Sequence, residues 1–405
     1  MKRIWASIFV LALLLVTPAV ATNLNDTAHW QTFDLRKVND SYGRGFNGAC
    51  YDRNGYIYYS PWYTGSTFSG VVIRFNTTLP YTSSSSYQQF DTKRLNSNSL
   101  GKGSFGTLGK YVYFPPWDPP GGITVRYDTT KDFTSPSSWE VFDMATINSS
   151  LENGFFQRAK YAGNYMYYVP DDYVGNTVRF NSSKSFTDTS AWEYYNLSNL
   201  DPDYAGFTGA EYDGTYIYYA PGSTNGPLGN GKTLRHNVSM AIDNPAAWEM
   251  FDQTSIDTNL RGFQGMCKSG NYMYFSPLTT DLYATFSGLA SRYNYTLPFT
   301  EASSWEKFDI ATVNSEAVGF YGCSPMNWEG DVYYAPGWSN TVMYNGMMAR
   351  YDADKPFTSA GAWETFDLTS INSTLKWTAG VIWAPDSIYV IPFGQHYEGL
   401  TARYH

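Results

Sequence analysis

Segments in which hydrophobic and polar residues alternate recur along this chain, and each is followed by a turn and a second hydrophobic run. Residues Gly206–Pro221, GFTGAEYDGTYIYYAP, show the pattern, with Asp213 and Gly214 between the two runs. Alternation with a period of two predicts β-strands, and an Asp-Gly pair between two such runs predicts a tight hairpin. The chain is therefore predicted to consist of repeated β-hairpins.

Three sequence elements repeat with a period of about 50 residues, which is typical of a β-propeller or a linear array. A tyrosine-rich or related run that ends in proline occurs seven times, at Tyr56–Pro61, Tyr111–Pro116, Tyr165–Pro170, Tyr216–Pro221, Tyr272–Pro277, Asp331–Pro336 and Ser387–Pro392. An arginine followed by an aromatic residue or histidine comes after each run, at Arg74, Arg126, Arg179, Arg235, Arg292, Arg350 and Arg403. A segment of the form WExFD follows six of these arginines, in a weaker copy at Tyr87 and then at Trp139, Trp192, Trp248, Trp305 and Trp363.

The seventh copy of the third element lies at the other end of the chain. WQTFD at Trp30–Asp34 precedes the first repeat, whereas the last repeat stops at His405 without such a segment. A linear solenoid has no need for this exchange, but in a closed ring the N-terminal strand completes the last blade and leaves no free sheet edge. The sequence therefore predicts an all-β fold with a single domain over residues 30–405, a seven-bladed β-propeller of four-stranded blades closed by the N-terminal strand.

Each repeat divides into four predicted strands: GFTGAEY is the inner strand a, TYIYYAP strand b, GKTLRHN strand c and AWEMF the outer strand d. Glycines recur in strand a, where the blades crowd around the central axis, at Gly48, Gly209, Gly265, Gly322 and Gly380. The order of an Arg-Tyr-Asp segment, a turn and a Trp-bearing strand resembles kelch-type propeller repeats over Trp30–His405. The kelch diglycine is absent, so the resemblance implies a blade layout and no kelch function.

The first residues have the basic, apolar and small-residue pattern of a secretory signal peptide, predicted over residues 1–21 and followed by a short segment at 22–29. Loss of Lys2 and Arg3 with the signal peptide leaves 25 basic against 36 acidic residues. A balance of this sign predicts no nucleic-acid partner. No other run approaches the roughly 18 apolar residues of a membrane span. The mature protein is expected to be a secreted or cell-surface monomer without membrane insertion.

The three cysteines, Cys50, Cys267 and Cys323, all fall in predicted inner strands. Two interpretations stay open: a disulfide between Cys267 and Cys323 with one leftover thiol, or three buried small apolar side chains. No CxxC pair is present and the four histidines are scattered, so the sequence predicts no metal site and no cofactor. Nine N-x-S/T sequons indicate a glycoprotein, although four of them occupy a turn position, at Asn76, Asn181, Asn237 and Asn294.

The seven repeated arginines are predicted to be structural, because a planar guanidinium late in strand c suits a carboxylate on the neighbouring strand d. Five blades have a glutamate after the tryptophan of strand d, at Glu140, Glu193, Glu249, Glu306 and Glu364, but the first and last blades have Gln88 and Gln31 there. The acids at the end of strand d are therefore expected to be the more general partners. They are Asp34, Asp91, Asp143, Asp252, Asp309 and Asp367, with Asn196 as the exception.

Ligand recognition is expected where the repeats differ, in the loops between strands b and c. Aromatic, acidic and imidazole side chains there are the predicted contacts: Trp62, Tyr63, Trp117, Asp171, Asp172, Tyr173, Trp338, His396 and Tyr397. In blade 3, Arg158 replaces the strand a glycine and Lys160 follows it. Arg158 is predicted to hold a carboxylate or a sugar at the channel mouth, or alternatively to plug the channel while Lys160 pairs with Glu211.

These residues favour a binding protein that recognises carbohydrate or an extracellular protein partner through one loop face. Packing of the same rings over the blade ends is the alternative structural interpretation. No GxSxG, HExxH, P-loop or dinucleotide motif is present, and no catalytic residue is assigned. The alternative function is a polysaccharide-active hydrolase or lyase at the mouth of the central channel. It requires two or three acids, or a histidine with an arginine or tyrosine, in one pocket.

Overall fold

The computed structural model describes residues 23–117, 122–171, 174–222, 228–281, 284–327, 330–393 and 398–405. Within these ranges the chain forms seven antiparallel four-stranded sheets, with short 3-10 turns and no α-helix. The same ranges contain no helix long and apolar enough to cross a membrane. The predicted fold class, an all-β seven-bladed propeller with four-stranded blades, is therefore confirmed.

The strands of each blade follow the predicted a, b, c and d order from the central axis outwards. Blades 1 to 3 consist of Phe46–Tyr51, Tyr56–Pro61, Val71–Asn76 and Tyr87–Asp91; Gly106–Leu108, Tyr111–Phe114, Ile123–Asp128 and Trp139–Asp143; and Phe156–Ala162, Tyr165–Pro170, Asn176–Asn181 and Trp192–Asn196. Blades 4 and 5 consist of Phe207–Tyr212, Tyr216–Pro221, Lys232–Asn237 and Trp248–Asp252; and Phe263–Ser269, Tyr272–Pro277, Leu289–Asn294 and Trp305–Asp309. Blades 6 and 7 consist of Cys323–Pro325, Val332–Tyr334, Met347–Tyr351 and Trp363–Asp367; and Thr378–Ala384, Ser387–Pro392, Leu400–Tyr404 and Trp30–Asp34.

Short elements connect the blade strands. Two small hairpins lie in the b-to-c loops of blades 5 and 6, formed by Thr279–Asp281 with Thr285–Phe286 and by Trp338–Ser339 with Met343–Tyr344. The 3-10 turns before the outer strands are Thr27–His29, Ser84–Ser86, Pro136–Ser138, Thr189–Ala191, Pro245–Ala247, Ala302–Ser304 and Ala360–Ala362. Those after the outer strands are Leu35–Lys37, Thr92–Arg94, Met144–Thr146, Ser149–Leu151, Leu197–Asn199, Gln253–Ser255, Ile310–Thr312 and Leu368–Ser370.

The N-terminal strand closes the ring. Trp30–Asp34 pairs antiparallel with Leu400–Tyr404, so that Trp30 lies opposite Tyr404. The indole of Trp30 stacks on Phe366 of blade 6 with 5.3 Å between ring centroids. Its Nε1 donates a hydrogen bond to the carbonyl of Leu24, which is fully buried. The contribution of the N-terminus to blade 7 therefore begins before Trp30.

The hydrophobic core lies between neighbouring blades. The phenylalanine of one outer strand stacks on the tryptophan of the next, as Phe90 does on Trp139 at 4.5 Å and Phe251 on Trp305 at 4.6 Å. Each of these tryptophans also donates from Nε1 to a carbonyl six residues earlier, at Phe133 and Phe299. The WExFD repeat thus supplies both halves of an aromatic contact that joins blade to blade.

The prediction that the acids at the end of strand d pair with the repeated arginines is wrong. The strand register places each arginine directly opposite the second residue of strand d, as Arg126 lies opposite Glu140, whereas Asp143 lies at the far end of the pair. The five glutamates bind the arginines of their blades, in the pairs Arg126–Glu140, Arg179–Glu193, Arg235–Glu249, Arg292–Glu306 and Arg350–Glu364. In blades 1 and 7 the amide oxygens of Gln88 and Gln31 accept from Arg74 and Arg403 instead.

The strand-end residues have another role, which explains why they are nearly all aspartate. Their side-chain oxygens accept a hydrogen bond from the backbone N–H two residues later, as Asp143 does from Ala145 at 2.9 Å. This is the geometry of a cap on the 3-10 turn that follows. Asn196 caps in the same way, accepting from Ser198, which explains the exception at this position.

The four sequons in the turn after strand c use the same chemistry. The side-chain oxygens of Asn76, Asn181, Asn237 and Asn294 each accept from the backbone N–H two residues later. Asp128 does so at the equivalent position of blade 2. Turn formation therefore accounts for asparagine at these positions, and glycosylation there stays a prediction.

Candidate functional site

Aromatic rings from several blades meet on the face formed by the b-to-c and d-to-a loops. Most of the contributing residues lie within two residues of the proline at the end of strand b or of the first residue of strand a, so the rigid blades bring them to the same end of the channel. We call this group the aromatic cluster; it contains Trp62, Tyr63, Trp117, Phe286, Tyr321, Trp338, Tyr344, Trp377 and Phe393.

Ring contacts in the aromatic cluster form a continuous path across this face. Trp62 stacks on Phe393 at 4.8 Å and contacts Trp117 at 4.9 Å. Phe393 contacts Trp377 at 4.3 Å, and Trp377 contacts Trp338 at 5.0 Å. Because the contacts join the last blade to blades 1, 2 and 6, the rings form one surface rather than separate patches.

The rings differ in exposure. Phe393, Tyr321 and Phe286 are buried and form the base of the cluster. The remaining rings are partly exposed, namely Trp62, Tyr63, Trp117, Trp338, Tyr344 and Trp377. A partly exposed ring held by a buried one presents a fixed apolar surface to solvent, which is the arrangement of an anchor residue in a binding site.

The rim of the aromatic cluster carries polar groups and exposed aliphatic side chains. The carboxylate of Glu316 accepts from Ser339 Oγ at 3.0 Å and from Thr341 Oγ1 at 2.8 Å, which holds the hairpin of Trp338 in place. At the tip of that hairpin, Val342 and Met343 are 62% and 60% exposed. These hydroxyl and carboxylate groups give the face hydrogen-bonding capacity beside its apolar rings.

The structure brings four of the predicted contact residues together in the aromatic cluster: Trp62, Tyr63, Trp117 and Trp338. Asp171 lies beside them, because its carboxylate accepts a hydrogen bond from Trp117 Nε1 at 3.1 Å. Four further predicted residues lie outside the described residues: Asp172, Tyr173, His396 and Tyr397. Arg158 does not belong to this face and lies in the central channel.

Sequence reasoning missed Trp377 and Tyr321, which complete the cluster. Trp377 lies in the d-to-a loop of blade 7 in the left-handed backbone region, with φ of 49°. A tryptophan is unusual in that conformation because its side chain is bulky. The sequence does contain a signal for Trp377, because the last repeat is the one repeat with a tryptophan directly before strand a.

The central channel contains a cavity of about 270 Å³ that opens on the opposite face. Its walls come from the second halves of the inner strands and the a-to-b hairpins that follow them, such as Tyr51, Tyr161, Tyr212 and Trp383. Arg158 and Lys160 line this cavity, and Lys160 forms an ion pair of 2.6 Å with Glu211 of the next blade. The predicted pairing of Lys160 with Glu211 is therefore present in the structure.

All three cysteines line the same cavity and are free thiols in the structure. Cys267 and Cys323 are buried on the neighbouring inner strands of blades 5 and 6. Burial, together with a hydrogen bond to Cys323, raises the pKa of the Cys267 thiol. The two thiols are thus in contact, and the disulfide between them stays a prediction.

The described residues that line the cavity include one carboxylate, that of Glu211, and no histidine. The internal histidine of the described chain, His236, is buried in blade 4, where Nδ1 contacts the hydroxyl of Tyr167 at 3.1 Å. Among the described residues no group of three histidine, cysteine or acidic side chains is arranged to hold a metal ion. The hydrolase or lyase alternative therefore stays a hypothesis.

Comparisons with known proteins agree with this architecture. No family model matches the chain, and no curated protein matches it. The crystal structure of a catalytically inactive virginiamycin B lyase from Staphylococcus aureus with quinupristin aligns with a TM-score of 0.58 and 11% identity, over 93% of this chain and 99% of the lyase. The extracellular domain of a protein described as a hybrid two-component system, from B. thetaiotaomicron, aligns with a TM-score of 0.58 and 12% identity, over 93% of this chain.

These similarities define the class of protein, a seven-bladed β-propeller. The chain spans 41% of the crystallised extracellular domain with which it aligns. At 11% and 12% identity the similarities show the fold alone, because one propeller fold supports many unrelated functions.

Proposed function

We propose that this protein is an exported or cell-surface binding protein that recognises carbohydrate through the aromatic cluster. The observation that carries the proposal is the continuous path of ring contacts from Trp117 through Trp62, buried Phe393 and Trp377 to Trp338, in which the four indoles are partly exposed. Aromatic faces offer the flat apolar surface on which the C–H faces of sugar rings pack, and the neighbouring hydroxyl and carboxylate groups offer partners for sugar hydroxyls.

The support beneath the rings favours a preformed site. Trp62 lies on buried Phe393 in a stacked arrangement with 10° between the ring planes. Trp338 stacks in the same way on Phe286, with 12° between the planes. Since these rings are held by packing before any ligand arrives, binding requires little ordering of side chains, and that lowers its entropic cost.

The proposal of export rests on the N-terminal pattern of residues 1–21, which is typical of a secretory signal peptide. One of the similar structures is an extracellular domain, which agrees with this location.

A protein partner is the second candidate for the same face. The exposed side chains of Val342 and Met343 favour it, because aliphatic groups contribute more to a protein interface than to contacts with sugar hydroxyls. Both side chains lie at the tip of one hairpin, so they also provide a way to separate the two candidates.

The experiment is a glycan array with the mature chain, followed by affinity measurements on the best ligand with the double variant Trp62→Ala/Trp117→Ala. We expect the loss of each ring to weaken binding by at least about 1 kcal/mol, as for a true anchor. The control is Tyr194→Ala, which removes a partly exposed ring from the outer strand of blade 3 and should leave affinity unchanged. Thermal melts of each variant identify the folded fraction.

Two results would contradict the carbohydrate proposal. One is a folded double variant that binds the glycan as tightly as the parent. The other is an array without binding, together with a protein partner whose affinity falls in the double variant Val342→Ser/Met343→Ser. The second result would assign the face to a protein.

A further inference from the structure

We propose that the cavity at the opposite mouth of the channel is a second site, which binds a small oxyanion, in the first place a carboxylate, through the guanidinium group of Arg158. This inference goes beyond the proposed function, because the site and its ligand chemistry differ from those of the aromatic cluster. It rests on the position of Arg158, the space provided for it and the charges around it.

Arg158 occupies the position of the strand a glycine and reaches across the channel. Its Nε donates a hydrogen bond of 3.0 Å to the carbonyl of Thr208 in blade 4. Its Nη2 lies where side chains at two glycines would begin: a Cβ at Gly265 would be 2.8 Å from Nη2, and one at Gly322 would be 3.1 Å away. Both glycines have positive φ, 95° and 97°. Blades 5 and 6 therefore leave room for this guanidinium group.

Most of the donors of Arg158 remain available. An arginine has five N–H donors, and within the part of the chain that the structure describes the bond from Nε to Thr208 is the one hydrogen bond of this side chain. The guanidinium lines the cavity and is partly exposed to it. The N–H donors of the two Nη groups are thus left for a ligand in the cavity, and a planar guanidinium group can bind a carboxylate with two hydrogen bonds.

The charges around the cavity favour an anion. Its described lining residues include four bases, Arg53, Arg158, Lys160 and Lys268, and one acid, Glu211. Glu211 is already paired with Lys160. This excess of positive charge stands out in a chain whose formal net charge is −9. Partial burial of a cation without a counter-charge is unfavourable, and a bound anion would remove that cost.

The size of the cavity limits the ligand to a small molecule. About 270 Å³ is just below the range of typical drug-sized pockets and suits a molecule with the bulk of a single sugar or amino acid. The walls combine apolar side chains, such as Phe105, Met266 and Trp383, with the hydroxyls of Ser104 and Ser324. A carboxylate on a compact body that carries hydroxyl groups fits both features.

The test is isothermal titration of the mature chain with sodium glucuronate, sodium phosphate and sodium sulfate at matched ionic strength, with glucose as the neutral probe. We expect saturable binding of glucuronate and none of glucose. Arg158→Gln should weaken anion binding by about tenfold or more, since it removes charge-assisted hydrogen bonds. Arg158→Lys, which keeps the charge without the fork, should weaken it less. Arg94→Gln removes an exposed arginine on the outside of a blade and is the matched control.

Comparison of the three anions distinguishes a carboxylate ligand from a tetrahedral oxyanion. Tighter binding of phosphate or sulfate than of glucuronate would support the site and assign it to a tetrahedral oxyanion. Three results would overturn it: no saturable binding of any of the three anions, equal binding of glucose and glucuronate, or equal anion affinity in the parent and a folded Arg158→Gln variant. If Arg158→Gln does not fold, unchanged affinity in Arg158→Lys for a carboxylate and for phosphate overturns the two-donor contact.

Discussion

His236 takes the place, in strand c of blade 4, that an aromatic residue holds in the other blades. The equivalent residues are Phe75, Tyr127, Phe180, Tyr293, Tyr351 and Tyr404. The imidazole of His236 packs on Trp248 with 4.6 Å between centroids, and Nε2 lies 3.4 Å from the carbonyl of Ala241. Burial lowers the pKa of His236 from 6.5 to about 4, so the folded protein keeps this side chain neutral.

This histidine should make the protein acid-sensitive. Between pH 6.5 and about 4 the unfolded chain takes up a proton that folded His236 does not, so the free energy of unfolding should fall as the pH drops through this window. The full effect is about 3 kcal/mol, at about 1.4 kcal/mol per pKa unit. His236→Tyr restores the residue of the sibling blades and should abolish this part of the pH dependence. Urea unfolding at pH 7 and pH 4 measures the free energy of unfolding of the parent and the variant. An equal loss of stability in both proteins between the two pH values would contradict the role of His236.

The sequence was also least informative about the burial and direction of individual exceptional side chains. Lys102 stands where most inner strands begin with phenylalanine, and it is fully buried with Nζ donating to the carbonyl of Ile123. Burial lowers the pKa of Lys102 to about 7. Neither its burial nor the direction of Arg158 could be read from the repeat, because the repeat aligns positions along the chain and says little about an exceptional side chain within the core.

At the scale of the element, strand c is joined to its neighbours by the repeated arginine. In blade 5, Arg292 binds Glu306 on strand d and packs on Tyr272 of strand b with 3.9 Å to the ring centroid. Its Nη1 donates to the hydroxyl of Tyr351 in blade 6 at 3.0 Å. One side chain therefore connects four strands from two blades.

Removal of Arg292 should lower the free energy of unfolding much more than removal of the charge on its partner, Glu306. We expect Arg292→Ala to lower the free energy of unfolding by about 3 kcal/mol, because it removes a buried guanidinium group together with its hydrogen bonds and its packing on aromatic rings. Glu306→Gln is the matched control. It should cost less than about 1 kcal/mol, since Glu306 is partly exposed and blades 1 and 7 use glutamine at this position.

Chemical denaturation of both variants measures these costs. Equal costs would contradict the prediction, and so would a loss of glycan or anion affinity in folded Arg292→Ala without a change in stability. The second result would show that the arginines serve ligand binding.

The positions of the strands could be predicted well from the sequence, but the side-chain pairs between neighbouring strands could not. The runs at Tyr56–Pro61 and Tyr216–Pro221 are strands with the predicted ends, because period-two alternation and a terminal proline are local signals. Pairing of Arg126 with Glu140 rather than Asp143 depends on register. Register is set by the length and geometry of the turn between strands c and d, which composition alone does not specify.

The same distinction applies to the candidate site. Trp62, Trp117 and Trp338 could be selected because each follows strand b in a loop that differs between blades. Their contact through Phe393 and Trp377 depends on the closed ring, which places blade 7 beside blade 1. The sequence predicted closure but contained no signal for which loops meet across the channel.

At the scale of the molecule, closure by the N-terminal strand should dominate stability. Deletion through Leu35 removes the outer strand of blade 7 and the stacking of Trp30 on Phe366. It should lower the melting temperature far more than deletion through Asn23. Deletion through His29 should have an intermediate effect, because it removes buried Leu24 but keeps the strand. Equal melting temperatures for the three truncations would contradict closure by this strand.

We propose that the aromatic cluster, held in place by a closed ring of rigid blades, is a ligand-binding face. The decisive measurement is a crystal structure of the mature protein with the oligosaccharide that binds best on the array. We expect sugar rings to stack on the partly exposed indoles of Trp62, Trp117, Trp377 or Trp338. An oligosaccharide bound at the opposite mouth of the channel or at the outer blade edges, with these four indoles free of contact, would contradict it.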